Sequence, residues 1–168
     1  MTAAAGVRLR PYERDDLAAF AALLGDPEVM RYADGGAPLA PDAARALFDK
    51  AFVLYATDPS FHIWTVDDED GAYAGHAELK RRSGRGEYEL IYFLQRARWG
   101  RGLGGRVVDA ILAVAHAERL PFVIATLDLA NAASLRLLER RGFRLDPALS
   151  ASFACPALRL DLEAQAQP

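Results

Sequence analysis

Apolar and polar residues alternate along residues 7–12 (VRLRPY), the period of a strand with one buried face. The period then changes. Over residues 13–24, Leu17, Phe20, Ala21 and Leu24 recur at helical spacing, and Gly25 lies just past their end. Asp26-Pro27 opens a further helical turn through Val29, Met30 and Tyr32, and Asp34-Gly35-Gly36 breaks the chain. Residues 41–56 repeat the helical pattern with Ala44, Leu47, Phe48, Ala51, Phe52 and Tyr55. From Phe61 the period returns to two: strands over 62–67, 72–81 and 87–95 flank turns at 68–71 and 83–86, an antiparallel meander. Leu103, Val107, Val108, Ile111, Leu112 and Ala115 then mark an amphipathic helix ending near Glu118. Pro121 precedes an apolar strand over 122–129, and Asn131 starts a last helix that stops at Gly142. Residues 143–145 and 153–162 read as two closing strands before a polar tail. This order predicts one α+β (mixed α/β) domain over residues 1–168, without repeat or long linker, built on a mixed sheet.

Composition narrows the function classes. The formal charge of −3 counts against a general nucleic-acid binder, and no apolar run reaches the ~18 residues of a membrane span. The first ten residues lack the basic-then-apolar order of a signal peptide. A single cysteine, Cys155, excludes an internal disulfide and suits a reducing compartment, so a cytoplasmic protein is expected. Cys155 adjoins Pro156 in an apolar stretch and reads as a packed thiol. His62, His76 and His116 cluster neither with each other nor with paired carboxylates, so no metal is expected. Lys50 and Lys80 are the only lysines; arginine is everywhere, and only its local placement carries information.

One stretch does. Residues 89–105 (ELIYFLQRARWGRGLGG) run from an apolar strand through an arginine-containing turn into Gly100, Gly102, Gly104 and Gly105, at the start of the amphipathic helix. The first amides of a helix have no helical partner, and the dipole adds partial positive charge, so the arrangement is an anion site suited to phosphate. Arg96, Arg98, Arg101 and Arg106 flank it. The glycines also admit a plain reading as a tight turn. Gly100, Gly102 and Gly105 match the dinucleotide fingerprint GxGxxG, with Asp128 further on. The context opposes that reading: residues 95–99 separate strand from glycines, a meander precedes them, and too little chain follows for a doubly wound sheet. No Lys-Ser or Lys-Thr follows the glycines, which excludes a P-loop.

Trp99-Gly100-Arg101-Gly102-Leu103-Gly104 resembles the acetyl-CoA pyrophosphate loop of the GNAT family of N-acetyltransferases, with Trp99 where the family more often has Gln or Arg. LRPYERDDL and DPEVMRY near the N-terminus also resemble that family, in particular its branch similar to ribosomal-protein alanine N-acetyltransferases. So does the segment from Asn131-Ala132-Ala133-Ser134 to Gly142-Phe143. The resemblance implies a GNAT-like fold with a central, mostly antiparallel six- to seven-stranded sheet and helices on both faces. It implies direct acetyl transfer, in a ternary complex, from acetyl-CoA as co-substrate to a small-molecule amine or a protein N-terminus. The backbone of Arg101, Gly102, Leu103, Gly104, Gly105 and Arg106 would hold the pyrophosphate. The preceding strand would splay from its neighbour at a bulge, an amide near Phe93 would stabilise the oxyanion, and Leu94 and Gln95 would pair with pantetheine. Glu89 is the expected base, with Glu87 and Glu78 as alternatives. The family's tyrosine acid falls at Leu138 here, leaving Ser134 or water to protonate the thiolate. Asn131 would hold pantetheine, or cap its helix, or both.

The acceptor side is expected from the N-terminal helices, where Met30, Arg31 and Tyr32 resemble a recurrent family segment. The acidic run 67–70 reads as a solvated hairpin turn that could attract cations. Neither nucleic acid nor membrane is expected as a partner, and monomer and homodimer both fit. The missing tyrosine keeps open a catalytically silent acyl-CoA-binding or regulatory module.

Overall fold

The meander predicted from the return to period two is the centre of the computed structural model, which describes residues 2–4, 6–33, 35–58, 60–82 and 86–162. The chain runs β1 (Thr2–Ala4), β2 (Val7–Arg10), α1 (Leu17–Leu24), α2 (Pro27–Met30), α3 (Pro41–Thr57), β3 (His62–Asp68), β4 (Tyr73–Arg81) and β5 (Tyr88–Leu94). It continues through α4 (Leu103–Ala117), β6 (Phe122–Thr126), α5 (Ala132–Glu139), β7 (Arg144–Leu145), α6 (Pro147–Phe153) and β8 (Ala157–Asp161). The sheet order is β1-β2-β3-β4-β5-β6-β8-β7, antiparallel at every pairing except β5 with β6.

This is the mixed α/β sheet that was expected, with eight strands in place of six or seven because Thr2–Ala4 adds an edge. The predicted strand over 153–162 begins only at Ala157. Ahead of it lies α6, whose Asp146 side chain accepts from Leu149 N–H as an N-cap and whose Pro147 takes the first helical turn. The predicted turn over 83–86 and the polar tail fall largely outside the described residues.

Strand alternation assigns the two faces. Trp64, Val66, Ala77, Leu79, Leu90 and Leu94 point to one side and pack with Val107, Val108 and Ile111 of α4. The other side packs Ile63 and Phe93 against Phe20, Leu23 and Leu24 of α1 and Phe48 and Ala51 of α3. Tyr12 sits in that second core at edge-to-face distances of 5.4 Å from Phe20 and 5.3 Å from Phe48. Met30 is buried there too, as packing alone would require.

The acidic run is not a solvated turn at its start. Asp67 is fully buried and accepts from Arg8 at 2.7 Å and Arg10 at 2.9 Å, while Asp68 pairs with Arg98 at 2.5 Å. Arg98 thereby ties the glycine loop to the β3–β4 turn.

Candidate active site

Strands β5 and β6 are parallel, yet they share one register pair, Glu89 opposite Ile124. Beyond it they diverge, and a gap opens along β5 toward the glycine loop. No bulge in β5 produces this: its register with β4 is unbroken from Arg81↔Tyr88 to Gly75↔Leu94. β6 ends at Thr126, whereas β5 runs on to Leu94.

Three contacts decide which backbone groups face the gap. Phe93 O lies 2.2 Å from where a Cβ on Gly75 would sit, so it points at β4. Across the trans peptide, Leu94 N–H points the other way, into the gap. Leu94 O accepts from the Trp99 indole at 2.8 Å, and Gln95 N–H returns to β4, donating to Ala74 O at 2.9 Å. Alternation then places Tyr92 N–H on the gap side and Phe93 N–H on the β4 side. Gap-facing amides therefore flank Phe93 rather than belong to it. Both backbone groups of Gln95 are engaged, its carbonyl accepting from Arg98 N–H at 2.9 Å, so it does not present a free edge to pantetheine.

The four glycines divide by task. Gly100 and Gly102 hold φ of 71° and 75°, the left-handed region, and Gly102 is the N-cap of α4. Gly104 and Gly105 permit close approach: a Cβ on Gly104 would stand 3.1 Å from Leu137 Cδ1, and one on Gly105 2.5 Å from Arg141 Nη2. Arg141 is held there by Asp109, donating at 2.6 and 2.9 Å. The amides of Leu103, Gly104 and Gly105 precede the first helical bond, Arg106 N–H to Gly102 O at 3.3 Å, and converge as an anion site. Arg101 is exposed beside them. Arg106 lies between the Gly6 turn and Gly102, its buried Nε without a hydrogen-bond partner among the described residues. The convergent amides, with Arg106 Nη1 4.0 Å from where a Cβ on Gly102 would sit, fit a pyrophosphate.

The chain matches the Acetyltransferase (GNAT) domain over residues 7–144. The chain belongs to the GNAT acetyltransferase family. Its fold is also that of a GNAT-family acetyltransferase from Bacillus anthracis, at 19% identity and TM-score 0.78 over 96% of this chain and 98% of that one. A spermidine N-acetyltransferase from Vibrio cholerae, solved with CoA and spermine, superposes with TM-score 0.72 at 19% identity over 85% and 83%. A ribosomal L7/L12 alpha-N-protein acetyltransferase in complex with coenzyme A does so with TM-score 0.77 at 13% identity over 96% and 97%. Acetyl-CoA is the co-substrate of GNAT enzymes.

In this GNAT chain the expected base and acid lie on opposite faces of β5, Glu89 on the Phe93 side and Ser134, through Tyr92, on the α4 side. Glu89 is 3% exposed. Its Oε2 accepts from Arg82 Nη1 at 2.7 Å, and its Oε1 accepts from the Thr126 hydroxyl, so the carboxylate bridges β5 and β6 where they part. Arg82 and Thr126 were not anticipated, although a lone threonine ending the apolar FVIAT strand is a readable signal. Glu78, one strand over, accepts from His76 Nε2 at 2.8 Å, and His76 Nδ1 meets the Tyr12 hydroxyl at 2.8 Å. Burial, the largest single influence, would raise the Glu78 carboxyl, but the hydrogen bonds and charges of His76 and Lys80 together outweigh it and hold it below its ordinary value. Glu87 shares the Glu89 face of the strand and buries an Oε2 without a hydrogen-bond partner among the described residues.

On the α4 face, Asn131 caps α5, its Oδ1 accepting from Ser134 N–H at 3.2 Å. Ser134 Oγ lies 2.6 Å from the Tyr92 hydroxyl, a contact not foreseen. Burial raises the Tyr92 phenol above its ordinary 10, the bond to Ser134 opposing, so it keeps its proton near neutrality. Leu138 is buried in the core beside them and offers no hydroxyl. Among the described residues no group of three or more His, Cys, Asp or Glu is placed to hold a metal ion. Nor is any helix long and apolar enough to cross a membrane.

Proposed function

We propose that this GNAT protein acetylates a primary amine by direct transfer from acetyl-CoA in a ternary complex. The observation that carries the reading is the gap itself. Two backbone amides, of Tyr92 and Leu94, face it between an anion site at one end and the Glu89 carboxylate at the other. The amides of Leu103, Gly104 and Gly105, with Arg101 and Arg106, hold the pyrophosphate. Leu94 N–H, nearer the loop, pairs with the pantetheine arm. Tyr92 N–H, deeper along the strand, donates to the thioester carbonyl and stabilises the oxyanion. This moves the oxyanion contact one residue from Phe93.

Glu89 accepts the amine proton, directly or through water. Ser134 gives its proton to the leaving thiolate, and the Tyr92 hydroxyl, in line behind it, restores it. The acceptor is a small-molecule amine or a protein N-terminus; relatives of the same fold are named for each. The test is thiol release with a panel of amines and N-terminal peptides, after calorimetry with acetyl-CoA. Failure of the folded protein to bind acetyl-CoA sinks the proposal.

One observation favours a second reading, a catalytically silent acyl-CoA-binding module: both Glu89 oxygens already have partners and Leu138 carries no hydroxyl. Binding of acetyl-CoA without thiol release across the panel would select it.

A further inference from the structure

The guanidinium of Arg82 sits in surroundings that suit a substrate better than a scaffold. Its Nη1 donates to Glu89 Oε2 at 2.7 Å, and its Cζ lies 4.3 Å from the centroid of the Phe153 ring on α6. A carboxylate on one side and an aromatic face on the other make a cage for a monovalent cation. The cage lies on the acceptor side of the sheet, since Glu89, Glu78 and Phe93 alternate onto one face. It also adjoins the point where β5 and β6 part, because the same Glu89 carboxylate is held from the far side by Thr126.

Two further observations favour Arg82 as a replaceable occupant. Glu89 is built in, with 4% of its side chain exposed, whereas 32% of the Arg82 side chain is exposed, so the guanidinium can withdraw into water without uncovering the core. The Arg82 backbone is fixed independently of its side chain, donating to Glu87 O at 2.8 Å and closing the hairpin. Glu78 is paired with His76 and Lys80, whereas Glu87 Oε2 is buried with no hydrogen-bond donor among the described residues.

We propose that Arg82 is a built-in surrogate for the acceptor: its guanidinium fills a cation cage of Glu89 and Phe153 that receives the primary ammonium group of the substrate when Arg82 withdraws. An alkylammonium or guanidinium head bound there donates to Glu89 Oε2 and lies over the Phe153 ring, while Thr126 keeps Glu89 Oε1. Naming that guest the acceptor rests on the proposed amine acetylation; the existence of the cage does not.

The full chain with Arg82→Met, which keeps an apolar stem over Phe153, is titrated with methylguanidinium and with n-propylammonium. Nuclear magnetic resonance follows the Glu89 carboxyl carbon and the Phe153 ring protons. Acetyl-CoA binding by calorimetry, run separately, reports on the fold and on the parent reading. The expected result is binding about ten-fold tighter than wild type, the scale of a desolvated cation over a ring, with both reporters moving. Adding Glu89→Gln abolishes the gain. A chain that binds acetyl-CoA normally but takes up neither cation better than wild type overturns the cage. So does a gain that survives Glu89→Gln. Arg82→Gln is the second variant, and failure of both to fold would show Arg82 to be a structural support and overturn the proposal as well.

Discussion

The two ends of the gap are made of different material. At the loop end the proposed recognition groups are backbone amides, set by φ at Gly100 and Gly102 and by the close approaches of Leu137 and Arg141 to Gly104 and Gly105. At the far end they are side chains from four separate segments: Glu89, Arg82, Thr126 and Phe153. Backbone recognition requires glycine at defined spacings and so tolerates little sequence variation. Side-chain recognition requires only that a carboxylate, a hydroxyl and a ring meet in space. The first kind suits a donor common to a family, the second an acceptor that differs between its members.

The largest effect should come from breaking the side-chain end alone. Glu89→Gln keeps the shape and the Thr126 contact but removes the base, so kcat should fall by about 10² to 10⁴. Acetyl-CoA affinity, measured by calorimetry, should stay within experimental error. A comparable loss of acetyl-CoA affinity would show that the two ends are not separable.

Gly75→Ala should be next, and it acts on the strand between the ends. A Cβ there would meet Phe93 O at 2.2 Å and Leu94 Cα at 3.1 Å, both backbone, so β4 and β5 must part. Overpacking of this kind costs about 1–3 kcal/mol, read as a lower urea midpoint, and would displace the gap-facing amides as well. Ser134→Ala and Tyr92→Phe should each lower kcat by about ten-fold, below the usual 10² to 10⁴ of general acid catalysis because water can also protonate the thiolate, and the double variant should lose little more. Additive losses would separate the two hydroxyls into independent roles.

Much of the donor end was legible in residues 89–105, because its demands are local: a strand, a turn, a helix start. The divergence of β6 was not, since nothing in FVIAT states that pairing with β5 stops after Glu89↔Ile124. The amide expected near Phe93 rests on a bulge, which the unbroken β4 register does not show; the gap-facing amides are those on either side of it. Glu89 was readable by its distance from the loop, but its partners were not. Arg82 lies seven positions away across a hairpin, and Phe153 lies in an apolar stretch that reads as strand although Asp146-Pro147 announces a helix. Asp67 shows the opposite error. An acidic run suggests solvent, and only the neighbouring β2 strand reveals the two arginines that bury it.

Glu78 tests whether the acceptor face has a second functional carboxylate or a structural one. Its folded carboxyl is held below its ordinary value, burial being outweighed by His76 and Lys80 acting together. A depressed folded value contributes stability above the unfolded value that is lost as pH falls through the folded one. Wild type should therefore lose stability faster than Glu78→Gln below about pH 4.5, as seen in urea midpoints taken across that window. If Glu78→Gln instead abolishes turnover at neutral pH with its midpoint unchanged, the base lies on β4 and not on β5.

The smallest effect expected is at the backbone end, where a side chain can be added without removing any recognition group. Gly102 has φ of 75°, and the nearest atom to a Cβ there is Arg106 Nη1 at 4.0 Å. Gly102→Ala therefore meets strain but no clash, about 1–2 kcal/mol for a left-handed residue with a Cβ. If the strain is relieved by rotating the first amides of α4, acetyl-CoA affinity should fall by up to about ten-fold, while kcat at saturating donor stays unchanged. Gly102→Asn should recover part of the loss, because asparagine enters the left-handed region more readily than alanine. Equal losses for alanine and asparagine would mean that the open space above Gly102, rather than its φ, is what the donor requires.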